Sequence, residues 1–389
     1  MIKLAIVTSH PIQYNAPLFR LLNDRRKINL KVFYTWSQSA GAKYDPGFGK
    51  NILWDIPLLG GYDFEFVKNV AINHGTHHFY GISNSTLITE IKDWHPDALL
   101  IFGWNFKSHL RCLRYFHKKI PVLFRGDSTL LDDQNSIHKF VRKIFLKWIY
   151  SHVDYALYVG KENKKYYLQH GLKTKQLLFA PHAIDNYRFY DKDNIHITEA
   201  ALWRNEIGIK DNDIVFLFAG KLEPKKNAEL LLKAFEKITS TNVHVVIVGN
   251  GVLESSLKTK FSKKQNVHFI DFQNQSKMPV VYYLCDVFVL PSKGPGETWG
   301  LAVNEAMACS RPVIVSDKCG CANDLVVNGV NGYIFKSDDE NDLVIKMNTI
   351  ISDKDKLKKR GEESMKIIEK YSFQNICKQI ENITVNIKK

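Results

Sequence analysis

Two glutamates, Glu297 and Glu305, enclose the stretch Glu297-Thr298-Trp299-Gly300-Leu301-Ala302-Val303-Asn304-Glu305. It follows the apolar run Val287-Phe288-Val289-Leu290-Pro291-Ser292 and leads into Ala306-Met307-Ala308-Cys309. The pattern predicts a buried strand, a loop carrying the first carboxylate, and a helix with the second carboxylate more than one turn inside it. Gly300 lets the backbone come close to a ligand, and the free N–H groups of the first helical turn point at whatever lies before them. Such a place suits an anion with hydroxyls attached. Taken alone, the same pair reads as a helix cap and a solvated surface residue.

A basic loop, Gly220-Lys221-Leu222-Glu223-Pro224-Lys225-Lys226-Asn227, follows the strand pattern Ile214 to Ala219. It precedes a helix with apolar Leu230, Leu231, Ala234, Phe235 and Ile238. Lysines around a strand-to-helix turn add positive charge to the helix N-terminus, an arrangement suited to a diphosphate. The run Val243 to Val248 ends in Gly249-Asn250-Gly251, and Asp271-Phe272-Gln273-Asn274 follows another short apolar run. Each of these alone is a tight turn or a solvated loop as readily as a site.

Together, with the flanks Leu290-Pro291-Ser292 and Asn304-Glu305-Ala306-Met307-Ala308-Cys309-Ser310-Arg311-Pro312-Val313-Ile314, they resemble the paired-glutamate signature of the family 4 retaining glycosyltransferases of the GT-B fold, the glycosyl transferases group 1. The resemblance covers nearly the whole chain and is strongest from Gly220 to Phe335. It implies an enzyme that moves a hexosyl or related sugar from a UDP- or GDP-sugar to an acceptor hydroxyl with retention of configuration; a cytoplasmic location is expected separately, since no run of 18 apolar residues occurs and Ile2 to Val7 opens as a strand pattern rather than a signal peptide. The implied setting is bacterial-type polysaccharide or glycolipid assembly, with a saccharide or lipid-linked acceptor. No cofactor and no metal are implied. Glu297 would meet hydroxyls of the donor sugar, Glu305 would hold the ribose, and Lys226 with Lys221 would neutralise the departing diphosphate. Gly220, Gly249, Asn250, Thr298, Trp299, Gly300 and Leu301 would line the donor, and Phe272 and Gln273 would meet the nucleotide base. Lys221 stands where family members usually have Arg, and a point charge replaces a bidentate fork there. Asn227 stands where they usually have Gly.

Three N-terminal loops follow strand patterns: Thr8 to Tyr14 with His10, Gln13 and Tyr14; Gly103-Trp104-Asn105; and Phe124-Arg125-Gly126-Asp127-Ser128. The resemblance implies acceptor contacts there. Many family members carry a His near Arg125 to Asp127, and this chain has Arg-Gly-Asp. Two readings stay open: Asp127 orients the acceptor hydroxyl while Arg125 holds a phosphate, or the two form a structural pair. Asp-x-Asp occurs at Asp191 to Asp193, Asp211 to Asp213 and Asp353 to Asp355, none of them ending a buried strand where a cation-bridged diphosphate would need it.

The elements that must position these residues are legible as a β-α-β alternation. Strand patterns recur at Leu4 to Val7, Ile28 to Tyr34, Ala98 to Phe102, Val122 to Phe124 and Tyr155 to Val159, and again at Ile214 to Gly220, Val243 to Val248, Val267 to Ile270, Val287 to Leu290 and Pro312 to Val315. The fold class expected is α/β: two tandem Rossmann-like, doubly wound parallel-sheet domains facing across a cleft. We expect an acceptor domain over 1–185, a linker over 186–212, a nucleotide-sugar domain over 213–370, and a C-terminal helix over 371–389 that crosses back to the first domain.

Composition narrows the partners. The chain of 389 residues carries 54 Lys+Arg against 40 Asp+Glu, a net charge of +14. Residues 1–185 hold 25 basic and 14 acidic residues, a net +11, so the first domain is expected to meet something acidic. The segment His138 to Ile149 is basic on one side and apolar on the other at helical spacing. It reads either as a helix with its apolar face on the sheet or as a peripheral contact with an anionic membrane, at the inner face. No nucleic acid is expected, because basic and aromatic residues interleave clearly only from Phe140 to Trp148. The six cysteines lack metal-ligand spacing and read as reduced structural thiols. The alternatives from other classes are a non-catalytic basic binding protein for lipid phosphate or nucleic acid on the same tandem fold, or a phosphorylase or epimerase of that architecture.

Overall fold

The structure, a computed structural model, describes residues 1–37, 41, 43–45, 47–132, 137–261 and 263–387. Within the stretch Gln38 to Trp54, whose side chains would bear on the choice of donor and acceptor, residues 38–40, 42 and 46 lie outside the described residues, as do the last two residues of the C-terminal segment. The chain forms two compact units. The first comprises Met1–Lys43, Ile56–Pro181 and Phe373–Lys389, and the second Tyr44–Asp55 and His182–Ser372.

The first unit is built on strands β1 (Ile2–Thr8), β2 (Ile28–Tyr34), β5 (Asp63–Phe66), β6 (Ala98–Phe102), β7 (Val122–Arg125), β8 (Tyr155–Tyr158) and β9 (Leu177–Phe179). They lie in the order β5-β2-β1-β6-β7-β8-β9, all parallel. Between β2 and β5 the chain contributes the short strands β3 (Lys43–Asp45) and β4 (Lys50–Ile52), which pair with each other. The second unit has β10 (Ile214–Ala219), β11 (Val243–Val248), β12 (Val267–Ile270), β13 (Val287–Leu290), β14 (Val313–Ser316) and β15 (Gly332–Phe335). Its order is β12-β11-β10-β13-β14-β15, again all parallel. Both sheets are therefore doubly wound. Their central strands β1, β6, β10, β11 and β13 bury nearly every residue, as continuous apolar runs must when helices cover both faces.

Strand order reverses beside β1 in the first sheet and beside β10 in the second. At such a switch point the loops leave neighbouring strands in opposite directions and open a crevice at the carboxyl ends. The loops after β10 and β13 flank it in the second unit, and those after β1 and β6 flank it in the first.

Residues 186–212 differ from a linker. They form helices Asn186–Phe189 and Ile195–Glu206, bury Phe189 and Ala200, and belong to the second unit. The terminal helix Phe373–Ile387 belongs to the first unit, where Glu381 pairs with Arg25 and with Lys27 at 3.1 Å. Hydrogen bonding from Arg25 outweighs burial and holds the Glu381 carboxyl below its usual range. All six cysteines are free and buried.

Two histidines are held uncharged, His109 fully buried and His268 half-buried. His109 lies against the carbonyls of Phe102 and Gly103, both at 3.1 Å from Nδ1, and its Nε2 is 2.9 Å from the Thr35 hydroxyl. Burial pushes its pKa down to about 4. His268 stacks on His244, and burial together with the charge of that neighbour pushes it to about 4 as well. Because both folded values lie below the ordinary 6.5, their contribution is fully present above that pH and is lost as pH falls toward 4. We predict that stability falls by roughly 2–3 kcal/mol between pH 7 and pH 4.5, before most carboxylates titrate. Thermal unfolding across that range measures it, and His268→Gln should flatten the curve; an unchanged slope in that variant would remove His268 from the account.

Candidate functional site

After β10 the chain turns at Gly220, runs through Lys221 to Glu223, and forms a single 3-10 turn, Pro224–Lys226. Asn227 then caps the helix Ala228–Glu236 in a left-handed conformation, φ 55°. Asn is one of the few side chains that tolerates this geometry, which accounts for its presence at this cap. Its side chain is tied to Asp338 at 2.9 Å.

After β13 the loop Pro291 to Trp299 carries Glu297, and Gly300, at φ 106°, caps the helix Leu301–Ala308. The two loops are joined where the Lys293 N–H donates to the Lys225 carbonyl at 2.9 Å. That contact brings the two charges expected of the site together. Lys226 Nζ is 2.5 Å from Glu297 Oε2, and the Ser292 hydroxyl donates to the same oxygen at 2.9 Å. Glu297 is 7% exposed. One turn and more into the helix, Glu305 is 3% exposed, and its Oε2 accepts from the buried Tyr282 hydroxyl at 2.7 Å. Both glutamates are therefore built into the protein, in contrast to the reading of a cap and a solvated surface residue.

Several residues expected to line a donor are engaged within the protein itself. Trp299 is buried, its indole N–H donating to Asn304 at 2.8 Å, and Asn304 in turn donates to the His182 carbonyl at 3.1 Å. Its ring is unavailable to a ligand, so Trp299 offers its backbone alone. The backbone nitrogens of Thr298 to Leu301 lie around the start of the helix, as its first residues must. Gly249 has φ 132°, and a Cβ there would sit 2.1 Å from the Gly220 carbonyl oxygen, so the strand ends of β10 and β11 meet only as bare backbone. Asn250 is 8% exposed and spends its side chain internally: Nδ2 donates to Glu254 and Asp271, and Oδ1 accepts from the Phe272 N–H at 2.8 Å. It is a positioning residue for the 271–274 loop.

The hairpin of β3 and β4 packs against the loops after β10 and β12. Asp45 bonds Lys221 at 2.8 and 3.0 Å. Burial would raise the Asp45 carboxyl, but Lys221 and the Gly47 and Phe48 N–H groups hold it below its usual range. Phe48 and Trp54 pack edge-on against Phe272, at 4.7 and 6.3 Å between centroids, and Lys50 lies over the same ring at 5.1 Å. Asp55 accepts from the Ser276 N–H, and Asn274 donates to the Leu53 carbonyl. Gln273 turns its amide to the Asp271 carbonyl at 3.0 Å. The available signal was the turn sequence Asp45-Pro46-Gly47-Phe48-Gly49.

In the first unit, His10 packs edge-on against Trp36 at 5.7 Å with its Nδ1 2.9 Å from the Ser9 hydroxyl. Gln13 and Tyr14 are half-buried in the same turn. Trp104 and Asn105 follow β6, with Asn105 exposed and Trp104 half-buried. Arg125 corrects an expectation: it is 6% exposed, and its terminal nitrogens donate to the carbonyls of Ala180 and Pro181 at 2.7 and 2.9 Å. Burial lowers its pKa to about 10, with Tyr167 and Asp127 opposing. The guanidinium is fixed to the loop after β9 and does not reach out to a phosphate. Asp127 is half-buried one residue beyond the Gly126 turn, which Tyr167 holds from both its N–H and its carbonyl. The Asp-x-Asp carboxylates serve local turns: Asp191 accepts from the Ile197 N–H, Asp213 from the Lys210 N–H, and Asp353 from Lys356 and Arg360.

Residues 199–367 match the family model of the glycosyl transferases group 1. The chain is 24% identical over 243 residues to a lipopolysaccharide 1,2-N-acetylglucosaminetransferase of Salmonella typhimurium, covering 59% of this chain and 61% of that one. It is 27% identical over 231 residues to the N-acetylgalactosamine-N,N'-diacetylbacillosaminyl-diphospho-undecaprenol 4-alpha-N-acetylgalactosaminyltransferase of Campylobacter jejuni, covering 58% of each. The matched stretches thus span somewhat more than half the length of these relatives. Among solved structures, HepE of Anabaena in complex with UDP has a TM-score of 0.73 at 16% identity, covering 99% of this chain and 100% of that one. At that identity the likeness bears on the fold, which is GT-B, two Rossmann-like parallel-sheet α/β domains.

The Tyr282 hydroxyl and Glu305 form a testable part of this site. Tyr282→Phe keeps the ring and leaves the carboxylate short of one buried donor, so stability should drop by about 1–3 kcal/mol. Urea unfolding measures it. A midpoint equal to that of the parent would mean that the bond contributes nothing net.

Proposed function

We propose, from the glycosyl transferases group 1 match over residues 199–367 and the charges gathered at the second unit's switch point, that this chain is a retaining, metal-independent glycosyltransferase. The donor is a nucleotide sugar, a UDP-sugar in the first instance, and the acceptor a hydroxyl of a saccharide or lipid-linked carrier. The observation that carries this reading is the Lys226–Glu297 pair at 2.5 Å between the loops after β10 and β13, with Glu305 buried behind it. Support for the donor comes from HepE, whose structure with UDP-glucose has a TM-score of 0.70 with this chain. Support for the acceptor class comes from the names of the lipopolysaccharide and diphospho-undecaprenol relatives.

The pair suggests how a donor binds. Each partner satisfies the other in a partly dry place, where a lone charge would be costly. A donor presenting a diphosphate to Lys226 and sugar hydroxyls to Glu297 replaces that mutual bond with one for each. Lys221 is bonded to Asp45, so its charge is largely neutralised and Lys226 carries most of the electrostatic work. In the reaction, the bond from the anomeric carbon to the diphosphate oxygen breaks with its electron pair leaving on phosphate. The acceptor oxygen bonds the same face of that carbon, and its proton passes to the departing phosphate. Lys226 and the N–H groups at the start of helix Leu301–Ala308 face the developing negative charge. Glu305 holds the ribose.

Lys226→Ala should lower turnover on the order of 10² to 10³-fold, because a preorganised cation is lost where charge develops. Glu305→Gln should chiefly weaken nucleotide binding, read as a smaller thermal shift with UDP. Steady-state rates with a UDP-sugar panel, with and without EDTA, measure the first effect. Parent-like turnover of the Lys226 variant would overturn its assignment, and loss of all activity in EDTA would overturn metal independence.

A further inference from the structure

The helix Ile137–Tyr150 is apolar on two faces. Leu146, Ile149 and Tyr150 are buried in the core of the first unit, which satisfies the ordinary demand that a helix cover its sheet. The opposite face carries Phe140, Val141, Ile144, Phe145 and Trp148, respectively 67%, 62%, 55%, 42% and 40% exposed. At spacings of three and four residues these five form one continuous ridge. An apolar ridge in water is unfavourable and marks a surface that meets something. Its surroundings are basic: Arg142 and Lys147 are exposed on the same helix, and the Arg114 guanidinium lies over the Trp148 ring at 5.3 Å. Residues 101–150 hold ten Lys and Arg against three Asp and Glu. Two copies of this face would bring like charges together, whereas an anionic bilayer offers both hydrocarbon and negative headgroups.

The ridge also continues to an acceptor-side loop. Trp104, in the loop after β6, meets Phe145 edge-on at 5.7 Å, and Phe145 stacks on Trp148 at 5.7 Å. We propose that this ridge docks the first unit on an anionic phospholipid surface, with Phe140 to Trp148 among the acyl chains and the surrounding lysines and arginines on the headgroups. The docked helix holds the loop of Trp104 at headgroup level. A lipid-linked acceptor, with its anchor in the same leaflet, then meets the protein beside that loop. The docking stands on the first unit alone, while its service to an acceptor rests on the transferase reading above.

The test is co-sedimentation of the full chain with phosphatidylcholine vesicles, with and without phosphatidylglycerol, at low and raised salt. The parent should sediment with the anionic vesicles at low salt and be released by salt. The triple variant Phe140→Ser, Val141→Ser, Ile144→Ser removes exposed side chains only, so it should fold with the parent's melting temperature yet partition at least about ten-fold less. A parent that stays in the supernatant at low salt, or a variant that sediments equally, overturns the proposal. So does a parent that elutes as a dimer which the variant abolishes, because the ridge then belongs to a second copy. The thermal shift with UDP is read on the same samples: its absence with intact vesicle binding strikes the transferase reading alone, and the converse strikes the docking alone.

Discussion

Where Gly320 passes Thr298 there is no room for a Cβ; one placed there would lie 1.7 Å from the Thr298 carbonyl oxygen. The two loops meet as backbone against backbone, the Gly320 N–H donating to the Glu297 carbonyl at 3.0 Å and the Cys321 N–H to the Trp299 carbonyl at 3.1 Å. Much of the second unit's site hangs on this contact. It fixes the loop on both sides of Thr298, so the Glu297 carboxylate is delivered toward Lys226 and Ser292, and Gly300 is held where the helix must start. Glu305 then reaches Tyr282 because the helix has only one place to begin. Side-chain bonds hold the charges, but the backbone contact decides where they are held.

Charge management follows from that rigidity. Lys226 and Lys221 sit beside carboxylates of different origin, Glu297 from the loop after β13 and Asp45 from the hairpin. A cation kept close to a carboxylate is pre-positioned without carrying an unpaired charge in a partly dry place. The same logic runs differently at Arg125, whose guanidinium meets neutral carbonyls and whose burial makes it easier to deprotonate.

Most of the fold was legible because the central strands of a doubly wound sheet are buried on both faces and read as unbroken apolar runs. The strands that escaped are those where this signal fails. Asp63-Phe64-Glu65-Phe66 lies at an edge and alternates charge with aromatic residues, Leu177–Phe179 is a three-residue edge, and Gly332–Phe335 is an edge that opens on glycine and is half-buried at its centre. The helix Asn186–Phe189 was hidden by polar residues that face water while Phe189 does the packing. In the site, the glutamates and Lys226 could be read locally, since each lies in a loop flanked by strong strand and helix signals. Asp45 and Phe48 could not, because their partners Lys221 and Phe272 are far along the chain and nothing in a local pattern records a long-range contact. Asn250, Trp299 and Arg125 show the opposite failure: polar or aromatic residues at strand ends suggest a ligand, yet buried polar groups must first satisfy one another.

The chain passes between the units four times, at 43/44, 55/56, 181/182 and 372/373. During synthesis, therefore, all seven strands of the first sheet emerge before the second unit, but the helix Phe373–Ile387 follows only after it. Until then the flank that holds Arg25 and Lys27 lacks Glu381, and the surface that will bury Ile376, Ile380 and Ile383 stays open. The hairpin, made early, likewise waits for Lys221 and Phe272. The first unit is therefore completed only after the second has been made, and the nascent chain carries uncovered apolar surface until the helix Phe373–Ile387 folds onto it.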